Sequence, residues 1–121
     1  MLQEYSVTIT TSAAQTATVY AGSRIVGTVQ SIKYVPGTLD TGADLTITGE
    51  TTGVPVLTKA NAGTATVWYY PRTLASKNTD GTAATDAFEE IWLFEERIKV
   101  AVAQGGASKA GTITFYVDEE Q

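Results

Sequence analysis

Apolar and polar residues alternate most clearly along the last third of the chain. The segments 97–103 (RIKVAVA) and 111–117 (GTITFYV) each place an apolar residue at every second position. This period of two is typical of a β-strand with one buried face. Glycines at positions 105, 106 and 111 mark the loop between the two alternating runs, so the pattern predicts a β-hairpin. Because one hairpin alone is marginally stable in water, earlier strands must cover its apolar face.

Shorter runs of the same kind recur towards the N-terminus. Gly27 interrupts the longest run and indicates a bulge or a close approach of another backbone. Pro55 cannot donate a backbone hydrogen bond, which favours an edge strand. Glycine, proline and threonine-rich turns separate the predicted strands, which are YSVTIT, TATVYA, RIVGTVQSIKYV, ADLTITGE, VPVLT and TATVWYYP.

The alternation stops between Arg72 and Ala87, where Leu74 is the one large apolar residue. Loops of this length in a compact domain are usually functional or disordered. We therefore expect residues 72–87 to be a long loop or arm, mobile in the free protein and ordered in an assembly. After it, a helix and a strand both fit the sequence, and the aromatic content favours a strand over Ile91 to Phe94.

About eight short strands and no convincing helix predict an all-β fold. The expected architecture is a single-domain antiparallel β-sandwich, or a jelly-roll-like variant of it, spanning residues 1–121. Free sheet edges are a liability of such folds, and self-association is one way to cover them.

Composition removes several classes of function. The 121 residues carry a net charge of −5, which argues against sequence-independent binding to nucleic acid. The chain has no cysteine and no histidine, so a Cys/His zinc site and a Ser-His-Asp triad are excluded. The sequence shows no signal peptide and no apolar run of ~20 residues, so no membrane contact is expected and the protein is predicted to be made in a cytoplasm. We predict neither a metal nor a cofactor.

One short motif suggests an enzyme. Asp40-Thr41-Gly42 resembles the active-site turn of retropepsin-like aspartic proteases, in which two aspartates from two subunits share a proton. The residues before Leu39-Asp40 are Val35-Pro36-Gly37-Thr38, instead of the buried apolar strand that this family requires. An ordinary turn is therefore the preferred interpretation, and a protease with Asp40 as catalytic carboxylate is kept as an alternative.

Three further patterns are weaker. Residues 76–81 partly match a calcium-binding loop but lack its first aspartate and its bidentate glutamate. Adjacent carboxylates on a strand point to opposite faces, so the pairs at 89–90 and 95–96 are interpreted as solvated flanks or subunit contacts rather than catalytic dyads. A core and interface role is preferred over sugar stacking for a set of aromatic residues, namely Trp68, Tyr69, Tyr70, Trp92 and Tyr116.

Three segments taken together resemble a known class of virion protein. They are TGADLTITGE, WYYPR and ERIKVAVAQGGASKAGTITFYV. They are similar to the small β-rich proteins encoded among the structural genes of tailed bacteriophages. The most specific part is the terminal pattern R-I-K-V-x-V-A-Q-G-G-x-x-K-x-G-T-x-x-F-Y-V.

This resemblance implies a non-enzymatic capsid decoration, or cement, protein. Such proteins bind the major capsid protein on the outer surface of the head as oligomers, often homotrimers. Neck or tail structural proteins from the same gene neighbourhoods are the alternative. The predicted partner-binding residues lie in and next to the 72–87 segment, and they are Trp68, Tyr70, Arg72, Leu74 and Lys77.

Overall fold

The computed structural model describes residues 1–120, and these form nine β-strands and no helix. The predicted all-β class is therefore confirmed, as is the strand over Ile91 to Phe94. No helix in the described residues is long and apolar enough to cross a membrane. The strands are β1 (Leu2–Thr10), β2 (Ala17–Val35), β3 (Asp44–Gly49), β4 (Pro55–Lys59), β5 (Val67–Tyr69), β6 (Thr73–Ser76), β7 (Ala83–Glu89), β8 (Ile91–Ala103) and β9 (Ala110–Glu119).

Seven strands form one antiparallel sheet, and the other two form a separate pair. The order in the large sheet is β1-β9-β2-β8-β3-β4, with β5 also paired to β2. The end strands β1 and β4 do not pair with each other, so the sheet is not closed into a barrel. β4 is an edge strand, as the proline at its start predicted.

The long strand β2 holds the sheet together. One of its edges pairs with β8 through Ala17–Val29 and then with β5 through Ile32–Tyr34. The opposite edge pairs with β9 through Gly27–Val35. A Cβ atom at Gly27 would lie 2.1 Å from the carbonyl oxygen of Asp118, so this position requires glycine. The predicted close backbone approach at Gly27 is thus confirmed.

The predicted hairpin at the end of the chain is wrong. β8 and β9 are strands with one buried face, but they pair with opposite edges of β2 instead of with each other. The alternation predicts a buried face correctly without specifying which strand lies alongside. The segment between them, residues 104–109, therefore connects two strands that β2 separates in the sheet.

The core is one continuous cluster to which most strands of the seven-stranded sheet contribute. The inward positions of β8 and β9 that the alternation predicted are all buried. Residues from β1, β2, β3 and β4 complete the cluster, which gives a β-sandwich-like packing. The largest fully buried side chains are Tyr34, Phe115, Ile9, Ile25, Ile32, Leu39, Leu45, Ile47, Leu93, Ile98, Ile113 and Val29.

The segment expected to be an irregular loop contains strand structure. Residues 73–89 form the two-stranded antiparallel sheet β6–β7, which we call the arm. The arm lies between β5 and β8 in the sequence. Its two strands contact each other extensively and contact the other strands very little. Both of its faces are mostly exposed to solvent, so its sequence has no apolar period to reveal the strands.

Candidate functional site

The arm carries an exposed apolar pair close to its root. Leu74 and Phe88 lie directly opposite each other in the β6–β7 register. Directly opposite residues project from the same face of a two-stranded sheet. Leu74 is 40 % exposed and Phe88 is 63 % exposed. The arm therefore presents an apolar face that nothing in its own chain covers fully.

The root of the arm is attached to β2 at Gln30. The carbonyl groups of Val29, the last residue of β2 that pairs with β8, and of the next residue, Gln30, face the side chain of Arg72. The Nη1 atom of Arg72 donates to the oxygen of Pro71 at 2.7 Å, of Gln30 at 3.3 Å and of Val29 at 3.5 Å. The predicted partner residue Arg72 is thus engaged by its own chain.

The other strand of the arm is attached to the same residue. The side-chain amide of Gln30 donates to the carboxylate of Glu90, which directly follows β7. Hydrogen bonding from Thr28 and Gln30 lowers the pKa of Glu90, with a smaller contribution from the charge of Arg72. Gln30 therefore bonds to Arg72, which precedes β6, and to Glu90, which follows β7. These two contacts fix the direction in which the arm leaves the domain.

Lys77 lies at the tip of the arm. Its backbone closes the turn through hydrogen bonds between Lys77 N and Thr82 O at 2.7 Å and between Gly81 N and Lys77 O at 2.8 Å. Its ammonium group forms no salt bridge with the described residues. Of the two predicted positive contact residues, Lys77 is the one that is available to a partner.

Trp68 and Tyr70 lie at β5, on the exposed face of that strand. The Trp68 ring stacks on Tyr116 with 5.5 Å between the ring centroids. The Lys33 ammonium lies 5.7 Å from the centroid of the Trp68 ring. Trp68 is therefore held in place by its neighbours, whereas Tyr70 is 66 % exposed.

An open groove lies between β4 and the start of β8. It has a volume of about 380 Å³, with β4 on one side and Trp92 and the arm root on the other. β3 pairs with β8 only from Ile98 onwards, so residues 91–96 of β8 have no strand partner on that side among the described residues. We call this feature the edge groove. Its lining residues are Val54, Pro55, Val56, Leu57, Thr58, Arg72, Thr73, Glu90, Ile91 and Trp92.

A second cleft continues from the edge groove past Trp92. It has a volume of about 290 Å³ and is rich in carboxylates. In residues 1–120 no three acidic side chains are close enough together to hold a metal ion. We call it the acidic cleft, and its lining residues are Thr28, Glu89, Glu90, Trp92, Asp118 and Glu120.

The interpretation of the Glu95–Glu96 pair as two solvated flanks is wrong for Glu96. Glu95 has a positive φ of 53° and is the extra residue of a β-bulge, so Glu96 turns inward and is only 2 % exposed. Its Oε1 accepts from the backbone nitrogens of Thr51 and Thr52, both at 2.9 Å, and its Oε2 accepts from Phe94 N at 3.2 Å.

The environment of Glu96 favours the ionised carboxylate. Burial raises the pKa of Glu96, but the hydrogen bonds from Thr52, Phe94 and Thr51 outweigh burial and lower it. A Cβ atom at Gly49 would lie 2.5 Å from Glu96 Oε1, so the glycine at the end of β3 makes room for the carboxylate. Glu96 thus fixes the turn after β3 and has no free oxygen for chemistry.

Asp40 and the calcium-like segment both lie in turns. Asp40 is exposed, and its backbone nitrogen donates to Gly105 O at 3.0 Å. At the arm tip, the carboxylate of Asp80 accepts from Thr82 N at 3.0 Å and from Thr82 Oγ1 at 2.7 Å, and these bonds lower the pKa of Asp80. Both motifs therefore have the local role that a turn requires.

No known family model, no curated protein and no solved structure matches this chain. Its exposed surfaces are therefore the guide to its function. Sequence patterns located Trp68, Tyr70, Leu74 and Lys77 at exposed positions, as expected of contact residues. They missed Phe88 and the exposed Phe94 as contact candidates, and they missed the role of Gln30, because pairing across strands brings Gln30 to the arm root.

Proposed function

We propose that this chain is a non-enzymatic structural protein of a tailed bacteriophage that decorates the outer surface of the head. The observation that carries the proposal is the arm, which projects from a well-packed domain and exposes Leu74 and Phe88. The resemblance of the terminal segments to phage structural proteins gives the biological setting. In this role the protein binds the major capsid protein and stabilises the capsid lattice.

The distribution of apolar surface supports an assembly role. Isolated exposed apolar residues are normal, but contiguous apolar patches are typical of contact sites. Among the described residues, exposed aromatic side chains occur in four places: on β2 (Tyr20), at and just after β5 (Trp68 and Tyr70), in the arm (Phe88) and at the start of β8 (Trp92 and Phe94). A decoration protein needs surfaces of this kind both for the capsid and for its neighbours.

Binding to heads that lack the protein tests the proposal. Purified protein is mixed with such heads, the heads are sedimented, and the bound fraction is measured over a range of concentrations. We expect saturable binding to heads and none to isolated tails, and electron microscopy should show regular density over the shell. Density restricted to the neck or tail, or no binding to heads, would contradict the decoration role.

The same assay tests the arm as a contact element. Burying one leucine side chain contributes about 1.5–3 kcal/mol, so Leu74→Asp should weaken binding roughly tenfold or more. The melting temperature should stay nearly unchanged, because the arm lies outside the core. Thr10→Asp is the control for the added charge, since Thr10 is exposed at the far end of the edge strand β1. Unchanged head binding by Leu74→Asp would place the contact elsewhere.

A further inference from the structure

Two features of this chain are incomplete in a single copy. The arm has an apolar face at Leu74 and Phe88 that its own domain does not cover. The edge groove has an apolar wall along β4 and an edge of β8 at Ile91 and Trp92 that no described strand covers, whereas Phe94 N further along is bonded to Glu96 Oε2. An unpaired strand edge readily accepts a strand of another chain through backbone hydrogen bonds.

We propose that the arm of one copy lies in the edge groove of a second copy. One strand of the arm pairs with the free edge of β8 at Trp92, and Leu74 and Phe88 pack against the exposed residues Pro55 and Trp92. Because the donated and the accepting surfaces differ, the contact is head-to-tail and each copy can both donate an arm and accept one. The proposal goes beyond the virion role, since it concerns the free protein and stands whether or not heads are bound. An arm held in this way contributes to head binding through the oligomer that it holds together, not by direct contact with the capsid protein.

Charge complementarity favours a second copy as the occupant of the groove. Lys77 at the tip of the arm has no ionic partner within the described residues. It follows Leu74 by three residues, which corresponds to roughly 10 Å along a strand. The acidic cleft shares Trp92 and Glu90 with the edge groove, so an arm lying in the groove can place Lys77 beside its carboxylates.

The carboxylates of the acidic cleft are not all engaged within their own chain. Asp118 pairs with the N-terminal amine at 3.1 Å and Glu90 accepts from Gln30. Glu89 makes no salt bridge in the described part of the chain and is the free acidic group closest in sequence to the groove. Glu89 is therefore the expected partner of Lys77 from the second copy.

The apolar surface involved is modest. From their exposed fractions, Leu74, Phe88 and Trp92 together offer roughly 300 Å² of apolar surface. A standard interface takes about 800 Å² from each partner, so one arm in one groove forms a contact below the standard size. In a head-to-tail arrangement each copy can make this contact twice, once through its arm and once through its groove.

Complementation between two defective variants tests the proposal. In Phe88→Asp the arm is impaired and the groove is intact, whereas in Trp92→Asp the groove is impaired and the arm is intact. Light scattering and native mass spectrometry at micromolar concentration should show an oligomer for the unmodified protein and at least tenfold weaker self-association for each variant alone. An equimolar mixture of the two should form a heterodimer, because one good arm meets one good groove.

Disulfide trapping gives an independent result on the folded, otherwise cysteine-free chain. Lys77→Cys and Glu89→Cys proteins, mixed and oxidised, should form a cross-linked heterodimer. The control pair, Lys109→Cys with Glu89→Cys, should not. A monomeric unmodified protein without the Lys77–Glu89 cross-link would overturn the proposal. So would an oligomer that neither Phe88→Asp nor Trp92→Asp weakens, or a mixture of these two that fails to form a heterodimer.

Discussion

The guanidinium of Arg72 donates a hydrogen bond to the carbonyl oxygen of Gln30 at 3.3 Å, and this contact joins the arm root to the central strand. The same nitrogen also bonds Pro71 O at 2.7 Å, so the chain is held at the point where it leaves the sheet. The side chain of Gln30 reaches Glu90 on the far side of the arm. A single residue of β2 therefore connects to both ends of an insertion that is otherwise isolated.

Replacing Arg72 with Ala should loosen the arm without unfolding the domain. Loss of the charged hydrogen bonds should cost about 1 kcal/mol of unfolding free energy, discounted for solvent exposure. Hydrogen exchange in β6 and β7 should rise several-fold while that of β2 and β9 stays unchanged. Lys77→Ala removes the same charge from the arm tip and should leave exchange unaltered. Equal effects of the two substitutions would show that Arg72 acts only through its charge.

Replacing Glu96 with Gln should destabilise the protein at neutral pH. The amide cannot accept every hydrogen bond that the carboxylate accepts, and the expected loss is about 2 kcal/mol at pH 7. Denaturant unfolding of the variant and of the unmodified protein measures this difference. Glu95→Gln is the control, because the exposed Glu95 makes only a surface salt bridge with Arg24, which is worth about 0–1 kcal/mol.

The effect of Glu96 should depend on pH in one direction. The folded-state pKa of Glu96 is lowered from its ordinary value of 4.5. The ionised carboxylate therefore makes its full contribution to stability at pH values above the unfolded-state pKa. This contribution is lost as the pH falls through the lower, folded-state pKa. The difference between the unmodified protein and Glu96→Gln should shrink below about pH 4.5. A difference that grows on acidification would contradict this assignment.

Replacing Tyr34 with Phe should stabilise the protein. Tyr34 is fully buried, and its hydroxyl has no hydrogen-bond partner in the described structure. An unsatisfied buried hydroxyl costs about 1–3 kcal/mol, and the phenylalanine ring keeps the same packing. Thermal and denaturant unfolding should show a gain of about 1 kcal/mol. A loss of stability would show that the Tyr34 hydroxyl is hydrogen-bonded in solution.

Tyr5 should titrate unusually late. Burial and the hydrogen bond from its hydroxyl to Glu119 Oε1 at 2.6 Å, together with the charge of Glu119, raise the pKa of Tyr5 to about 12. The protonated phenol stabilises the fold at pH values below its unfolded-state pKa of 10.0. This stabilisation is lost as the pH rises towards 12. Nuclear magnetic resonance of ring-labelled tyrosine should show a signal that titrates near pH 12.

Two variants identify that tyrosine signal. Tyr5→Phe should remove it. Glu119→Gln should lower the pKa of Tyr5 towards 10 without reaching 10, because burial, the largest cause of the raised pKa, remains. A Tyr5 signal that titrates at 10 in the unmodified protein would contradict the buried hydrogen bond.

The sequence was sufficient to predict most strands of the large sheet and the buried face of β8 and β9. Every second residue of β8 after Glu96, and every second residue of β9, is buried as the alternation predicted. A change of phase between Leu93 and Ile98 was also present in the sequence. Such a change of phase requires one extra residue between Leu93 and Ile98. It could therefore have located the bulge at Glu95 and the inward turn of Glu96.

The tertiary structure alone decided which strands are neighbours and what the arm is. A period of two shows that a face is buried without specifying the adjacent strand, so the placement of β2 between β8 and β9 was not predictable from those segments. The arm has two largely exposed faces, so burial left no pattern in its sequence. Its strands are defined by hydrogen bonds between β6 and β7, and its direction by the contacts of Arg72 and Glu90 with Gln30.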